Sequence, residues 1–201
     1  MKKLLLSLVA VSALAFSTQA QTEKGKFLLG GSVGLNSTKE KGASKADFRF
    51  NIVPSAGYFI SDNFAIGTGV GYEYNKQVSE EVLNQAFVVA PFGRYYVGLS
   101  DQFKFFGQLS VPMAFGDIKH VDEATGDVGN KVGTTTSIGV QLAPGFAFYP
   151  TKRVGIEVSV DGLGYNNYTV KDAATGNKAK VDSFGLDAST VTPKLGVMFH
   201  F

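Results

Sequence analysis

The chain has 201 residues, of which 18% are charged, 44% hydrophobic and 12% aromatic, with 24 Gly and neither Cys nor Trp. This hydrophobic content excludes an intrinsically disordered chain, and the absence of Cys excludes a fold held together by disulfides. The formal net charge of +2 is too small for the basic surface that nucleic-acid binding requires.

Residues 1–20 have the pattern of a secretory signal peptide. Lys2 and Lys3 form a basic start, an apolar stretch follows over residues 4–16, and Thr18-Gln19-Ala20 supplies small residues for cleavage. The apolar stretch is too short for a transmembrane helix. We therefore expect an exported protein in which residues 21–201 form one domain. Because the leader carries two of the lysines, acidic and basic residues balance in that domain.

After residue 25 the hydrophobic pattern has a period of two, which indicates β-strands. In residues 64–73, for example, Phe64, Ile66 and Val70 share one face and small residues share the other. Eight segments show this alternation, at 27–36, 48–60, 64–73, 86–97, 103–115, 136–149, 154–161 and 191–201.

The links between these segments alternate between short and long. Tight turns are expected at 61–63, 99–101 and 150–153, and longer polar segments at 38–46, 75–85, 117–134 and 166–182. Short turns at one rim and long loops at the other are typical of an all-β, antiparallel up-and-down transmembrane β-barrel with four outer loops. Spanning strands take roughly 9–11 residues each, so the length favours eight strands and excludes a porin-sized barrel.

Prolines recur on the even-numbered predicted strands, at positions 54, 91, 144 and 193. Proline cannot donate a hydrogen bond to the sheet. We therefore expect bulges or locally missing backbone bonds at these four positions.

Aromatic residues occur at both ends of the apolar face of the predicted strands. Such belts are typical of the two interfaces of a membrane barrel. A soluble barrel such as a lipocalin, with an apolar lumen and a polar exterior, gives no reason for them. The short-turn rim would carry Phe27, Tyr58, Phe64, Tyr95, Phe103, Phe148, Phe199 and Phe201, and the long-loop rim Phe48, Phe50, Tyr72, Phe87 and Phe115.

The opposite face of the strands is small and polar, and its charges should neutralise one another in a narrow lumen. These charged residues are Arg49, Glu73, Arg94, Lys104, Glu157, Asp161 and Lys194. Counting from the turns places Arg49 nearly opposite Glu73 and places Arg94 near Lys104, so we predict that Glu157 reaches across the lumen to the last two. Three inward aromatics, Phe92, Tyr96 and Phe106, are predicted to form a small apolar plug near the short turns.

The C-terminal run from Lys194 to Phe201 resembles the assembly signal of bacterial outer-membrane proteins, with Gly196, Phe199 and Phe201 at its characteristic places. Together with Gly57-Tyr58-Phe59 and Pro91-Phe92, it makes the chain similar to the small OmpA/OmpX-like outer-membrane β-barrel family. The resemblance implies a location in the bacterial outer membrane. It also implies delivery by periplasmic chaperones and recognition of Phe201 by the barrel-assembly machinery.

Two histidines are the candidates for metal binding or catalysis. His120 lies in a predicted outer loop with Asp117, Asp122 and Glu123, where weak cation binding is an open alternative. A lipid A-modifying enzyme needs a His and a Ser close together near the outer leaflet, but His200 lies at the other end and the loop of His120 has no Ser. We therefore expect no cofactor and no enzyme activity.

The outer segments carry lysines that favour contact with anionic lipopolysaccharide, namely Lys39, Lys41, Lys45, Lys171, Lys178 and Lys180. Residues 124–127 and 174–177 resemble the tips of hairpins that extend strands beyond the membrane. The sequence thus predicts a monomeric, non-enzymatic outer-membrane barrel that supports the envelope and presents surface loops. A narrow pore, a loop-borne adhesin and, least of all, a lipid A-modifying enzyme are the alternatives.

Overall fold

The computed structural model of the chain describes residues 22–39, 45–151, 153–187 and 194–201. The predicted signal peptide and Pro193 lie outside these residues. Within them no helix is long and apolar enough to cross a membrane.

The described residues form eleven antiparallel β-strands in one sheet. In chain order the strands are β1 (Phe27–Thr38), β2 (Asp47–Ser61), β3 (Phe64–Gln77), β4 (Val82–Gly98), β5 (Phe103–Ser110), β6 (Met113–Val121), β7 (Val128–Phe148), β8 (Val154–Ser159), β9 (Gly162–Asp172), β10 (Lys178–Asp187) and β11 (Lys194–His200). Three strands of the barrel consist of two shorter strands each: β5 with β6, β8 with β9, and β10 with β11. The result is the predicted closed barrel of eight strands.

The barrel closes where the last strand pairs with the first. Leu28 and Leu29 of β1 pair with His200 and Phe199 of β11. The backbones of Phe27 and Phe201 exchange hydrogen bonds of 2.9 and 3.0 Å just beyond that ladder. The two ends of the described chain therefore meet at one rim.

Three of the four prolines predicted to interrupt the sheet lie in the described residues, and all three do so. Pairing between β2 and β3 stops at Ile52 and resumes at Ser55, on either side of Pro54. Opposite Pro91 one barrel strand breaks into β5 and β6, and opposite Pro144 another breaks into β8 and β9. A proline has no N–H to donate, so a ladder bond is missing at each of these places. The break between β5 and β6 also contains a second proline, Pro112.

The connections differ from the sequence prediction at the rim opposite the short turns. The segments predicted as long loops at 75–85, 117–134 and 166–182 are mostly paired strand. Only residues 78–81, 122–127 and 173–177 lie between strands there. Most residues of these segments are polar, so the hairpins extend beyond the apolar part of the wall, with Val78, Leu83 and Val121 as a small buried cluster between them. We call this end the hairpin rim and the other end the short-turn rim.

The larger of the two buried hydrophobic clusters among the described residues lies inside the barrel at the short-turn rim. Its buried residues are Leu28, Phe59, Ala65, Tyr96, Phe106, Ala147, Tyr149 and Met198, with Phe92 packed against them. The predicted plug of Phe92, Tyr96 and Phe106 is therefore present and larger than predicted. Glycines make room for it: a Cβ on Gly145 would lie 2.4 Å from the Phe106 ring, and a Cβ on Gly67 would lie 2.6 Å from the Phe92 ring.

Candidate functional site

A buried ion pair crosses the lumen next to the aromatic core. The Arg94 Nη1 atom on β4 donates to both carboxylate oxygens of Glu157 on β8, each at 2.8 Å. The side chains are only 6% and 5% exposed. These two residues lie on non-adjacent strands, so the pair ties opposite walls of the barrel together.

Neighbouring groups complete the hydrogen bonding of this pair. Arg94 Nε donates to Gln108 Oε1 at 2.8 Å, and its Nη1 also donates to the Tyr96 hydroxyl at 3.0 Å. That hydroxyl donates to Glu157 Oε1 at 3.1 Å. The guanidinium carbon lies 4.5 Å from the centroid of the Phe106 ring, within cation–π range. A charge pair this deeply buried needs such additional partners.

The aromatic core closes the lumen between this pair and the short turns. Tyr96 packs between Phe59 and Phe106, with ring centroids at 5.8 and 5.7 Å. The His200 ring lies 5.2 Å from Tyr149, and both are buried. Phe59 and Tyr149 also belong to this plug and were not predicted, although both are inward-facing aromatics close before short turns.

On the hairpin side of the ion pair the lumen is polar. A cavity of about 260 Å³ lies there, with Arg94 and Glu157 among its lining residues. The polar residues that line it are Ser32, Ser55, Gln108, Ser110, Gln141 and Ser159. A second polar cavity of about 280 Å³, lined by Glu73, Asn75 and Asn84, lies further toward the hairpin rim.

The remaining predicted lumen charges do not form one network. Asn51 lies opposite Glu73 in the ladder, and Arg49 lies opposite Asn75, so the predicted Arg49–Glu73 alignment is wrong by two residues. Arg49 and Glu73 are both exposed. Asp161 accepts a hydrogen bond of 2.7 Å from Gln141 Nε2.

Lys104 does not share Glu157 with Arg94, contrary to the prediction. It lies opposite Gly98 in the ladder, nearer the turn than Arg94, which lies opposite Gln108. Its Nζ atom donates at 2.6 Å to the hydroxyl of Thr22, which is buried and donates to Asn63 Oδ1 at 2.7 Å. The segment before β1 thus covers the short-turn mouth. The side chain of Lys194 lies outside the described set.

The outer surface of the wall is apolar between two aromatic belts. Most of the predicted belt residues are exposed on it, for example Phe27 at 54% and Phe87 at 49%. Phe64, Phe148, Phe50 and Phe199 are half-buried by their neighbours; Phe103 and Phe148 stack with centroids 4.8 Å apart. Tyr165 and Phe184 also lie exposed on the outer surface, at 46% and 74%. They were not predicted as belt residues because they border the segment 166–182, which is predicted as a loop.

The C-terminal residues lie at the barrel closure. β11 pairs with β8 on one side, with Gly196 opposite Glu157, and with β1 on the other. Phe201 is 47% exposed on the outer surface. This geometry leaves the terminal aromatic accessible from outside the barrel, while its role in assembly stays a prediction.

The residues considered for cation binding are held apart. Asp117 binds Lys131 Nζ at 2.6 Å, and His120 Nδ1 lies 3.9 Å from Glu81. Asp122 accepts a hydrogen bond from the backbone N–H of Thr125 in its own turn. Among the described residues no group of three or more His, Cys, Asp or Glu side chains is placed to hold a metal ion.

The two hairpin tips predicted at 124–127 and 174–177 share one turn geometry. Asp122 accepts hydrogen bonds from the backbone N–H and the hydroxyl of Thr125, at 2.8 and 3.1 Å. Asp172 accepts the equivalent bonds from Thr175, at 2.7 and 2.8 Å. These bonds, the backbone one above all, lower the pKa of both carboxyl groups. Gly126 and Gly176 have φ of 76° and 71°, a conformation that favours glycine.

Comparisons with known proteins agree with this architecture. The family model described as "Outer membrane protein beta-barrel domain" matches residues 6–199. Among solved structures, Neisserial surface protein A is 15% identical with a TM-score of 0.52, covering 89% of this chain and 98% of its own. OprG from Pseudomonas aeruginosa is 15% identical with a TM-score of 0.50, covering 91% and 99%. At such identities these structures show the fold alone. A comparison with curated protein sequences finds no match.

Proposed function

The chain belongs to the outer membrane protein beta-barrel domain family, and from that premise we propose that it is a non-enzymatic barrel that supports the envelope and presents stiff hairpins at the cell surface. Its location is the bacterial outer membrane. The short-turn rim then faces the periplasm and the hairpin rim faces the outside, as in other barrels of this kind.

The closed lumen is the observation that carries this proposal. Phe59, Tyr96, Phe106 and Tyr149 are at most 2% exposed in the plug, and the Arg94–Glu157 pair lies directly beside them. A barrel with eight strands has room for side chains but little else. A lumen closed in this way supports a structural role better than transport.

Two measurements test the proposal together. In isolated outer membranes the unheated protein should migrate faster on a gel than the boiled protein, because the closed barrel stays compact in detergent. In liposomes the purified protein should give no swelling with small sugars. A chain that shows no heat-dependent shift, or liposomes that swell as with a porin, would contradict it.

Narrow conductance is a second candidate, and the polar cavities on the hairpin side of the ion pair favour it. A channel would require the plug to open transiently toward the periplasm. Single-channel currents that change when Arg94 and Glu157 are neutralised would support this function, and currents absent at every voltage would remove it.

Adhesion through the hairpin tips is a third candidate, favoured by the hydrogen-bonded turns at residues 122–127 and 172–177. The variant that tests this must spare the strands, since residues 117–121 and 128–133 are paired strand of β6 and β7. Replacing only residues 122–127 with Asn-Gly shortens the tip and leaves the ladder intact. Loss of binding to host matrix proteins, with the heat-dependent gel shift retained, would support adhesion.

Family membership also supports a proposal about biogenesis. We propose that periplasmic chaperones deliver the chain, that the barrel-assembly machinery recognises Phe201, and that the protein functions as a monomer. The proposed leader at residues 1–20 would direct its export.

A further inference from the structure

The polar cavity of about 280 Å³ inside the hairpin half of the barrel is built by five strands. Glu73 on β3 lies opposite Ala86 on β4, and the same rows continue through β6 and β7 to β9. Glu73 directly follows the belt residue Tyr72, so the cavity lies at the level of the hairpin-rim belt. Its polar lining residues are Glu73, Asn75, Asn84, Thr135, Ser137 and Tyr168. We call it the Asn cavity.

Small residues on the inner face of the strands leave room for this cavity. Ala86 and Ala114 line it, and Gly116 lies opposite both Ala86 and Thr135 in the ladders. A Cβ on Gly116 would lie 2.7 Å from the Thr135 hydroxyl oxygen and 2.9 Å from the Ala86 Cβ. The absence of larger side chains on β4 and β6 therefore keeps the polar groups of β3 and β7 accessible from the lumen.

Two acceptor oxygens of the Asn cavity are buried without a hydrogen-bond donor. They are the Oδ1 atoms of Asn75 and Asn84, which have no partner among the described residues. Asn75 keeps this orientation because its Nδ2 donates to Gln77 Oε1 at 3.0 Å. The two asparagines lie directly opposite each other in the ladder, where Cβ atoms are about 4.5–5.5 Å apart. Buried acceptors are nearly always satisfied in folded proteins, so this pair indicates a ligand that carries hydrogen-bond donors.

The other polar groups around the cavity favour a ligand with positive charge. Glu73 adds a carboxylate at the diagonal position to Asn84, with about 7–8 Å between Cβ atoms. The Ser137 hydroxyl donates its proton to Asn166 Oδ1 at 2.7 Å, so its oxygen faces the cavity as an acceptor. Among the described residues no basic side chain lines the cavity or forms an ion pair with Glu73. Arg49, opposite Asn75 on β2, is exposed and lies outside the lining.

The charge and the number of acceptors select the kind of cation. A primary ammonium group carries one positive charge and three N–H donors, which match one carboxylate and two amide oxygens. A calcium ion carries two charges and takes about six to eight oxygen ligands, so Glu73 alone supplies too little negative charge. The cavity has the volume of about nine waters, at roughly 30 Å³ each. It therefore has room for the carbon skeleton of a small amine beside the ammonium group.

We propose that the Asn cavity binds a small primary amine in its protonated form, with the ammonium group between Glu73, Asn75 and Asn84. The cavity lies on the hairpin side of the aromatic plug, so the amine enters from the hairpin rim and is held there without passing through the barrel. This binding activity goes beyond the structural role proposed above and does not depend on it.

The test measures binding of n-butylammonium to the refolded, detergent-solubilised barrel by calorimetry. In N84L the loss of a hydrogen bond to a charged donor should weaken binding about tenfold or more. In N84D the added carboxylate should strengthen binding, a change of opposite sign that a purely structural role of Asn84 does not produce. N36L is the matched control, because Asn36 lies on the inner face of β1 outside the Asn cavity. It should bind like the wild type.

A second readout locates the amine directly. The side-chain amide resonances of Asn75 and Asn84 should shift during a titration of the wild type with n-butylammonium. The side-chain amide resonance of Asn36 should stay in place. Shifts confined to residues outside the Asn cavity would overturn the assignment of the site.

Further probes separate charge from hydrogen bonding. Butyltrimethylammonium has the same charge and no N–H donor, so it should bind about tenfold more weakly than n-butylammonium, or weaker still. Butanol lacks the charge and should bind more weakly than either. Calcium chloride at the same concentration should leave n-butylammonium binding unchanged, whereas E73Q should weaken it.

Each contrary result would overturn the amine assignment. These results are equal binding of the two ammonium probes, unchanged binding by N84L, and displacement of n-butylammonium by calcium. A wild type without saturable binding in the millimolar range would also overturn it, because water or a rotated Asn84 amide would then satisfy Asn75. The heat-dependent gel shift is measured on every variant, and E73Q replaces N84L if N84L loses the shift. If the wild type shows the shift but does not bind the amine, this inference fails alone.

Discussion

Arg94 and Glu157 meet across the lumen with two N···O distances of 2.8 Å, although β4 and β8 are not neighbours in the sheet. Each residue is at most 5% exposed. Removing one partner of such a pair leaves a buried charge without compensation. The pair and its surrounding aromatics therefore form the part of the structure where a single polar substitution should have the largest effect.

We expect E157Q to lower the free energy of unfolding by about 3–5 kcal/mol, the cost typical of breaking a buried ion pair. Urea unfolding of the refolded barrel in detergent measures this. E73Q is the matched control, since Glu73 is also inward but exposed, and it should change stability little. Equal effects of the two variants would show that the Arg94–Glu157 contact adds no stability.

Replacing Gly145 by Ala should destabilise the barrel by overpacking. The new Cβ would lie 2.4 Å from the Phe106 ring and 2.7 Å from the backbone oxygen of Val158. A cost of about 1–3 kcal/mol is typical when a packed core is forced to shift. Gly107→Ala is the control, because nothing lies within 4 Å of its added Cβ. A Gly145→Ala barrel as stable as the control would contradict the packing at the plug.

The plug should block ion flow in the wild-type barrel. Phe106 and Tyr149 fill the lumen near the short turns, so wild-type protein in a planar bilayer should show no steady current. The double variant F106A/Y149A removes both rings and should conduct, with a current that F103A/F146A, altered only on the outer face, does not show. A wild-type current equal to that of F106A/Y149A would mean that the plug does not seal the lumen.

Part of this fold and site is predictable from the sequence. Alternation with a period of two is enough to place Arg94 and Glu157 inside the barrel. Because Arg94 and Lys104 carry like charges on that face, an acidic partner such as Glu157 is predictable. The contact of Lys104 with Thr22 is not predictable, because Thr22 lies before the first strand, outside the alternating pattern. The hairpin tips at 124–127 and 174–177 are predictable from their turn residues, but the length of paired strand below them is not, because many polar residues hide the alternation there. Ladder register, which decides the Arg49–Glu73 alignment, depends on turn geometry that composition does not reveal.

The hairpin tips should loosen at acid pH. Hydrogen bonds from Thr175 hold the pKa of Asp172 below its ordinary value of 3.8. A lowered folded pKa means that the stabilisation is complete above the unfolded pKa and is lost as the pH falls through the folded value. Hydrogen exchange at Thr175 and Gly176 should therefore accelerate, relative to core amides, as the pH falls below the ordinary pKa of an Asp carboxyl and through the lowered pKa of Asp172.

Asp172→Ala should produce the same acceleration at neutral pH and remove the pH dependence. The tip at Asp122 remains intact in that variant and serves as the internal control. Exchange at Thr175 that is equally slow in wild type and variant would show that the carboxylate does not hold the turn.

Phe201 should matter for assembly more than for the finished barrel. Its ring is 47% exposed on the outer surface, and the contacts that close the barrel come from its backbone, which bonds to Phe27. F201A should therefore lower the amount of folded protein in outer membranes severalfold, while stability after refolding in detergent changes little.

F103A is the matched control for this prediction, because Phe103 lies at the same rim and is 48% exposed. If the terminal aromatic acts as a recognition element, only F201A reduces the heat-shifted band in isolated outer membranes. If both variants reduce it equally, the loss reflects missing aromatic contacts with the membrane interface. Recognition by the assembly machinery would then have to depend on the backbone of β11, which both variants leave unchanged.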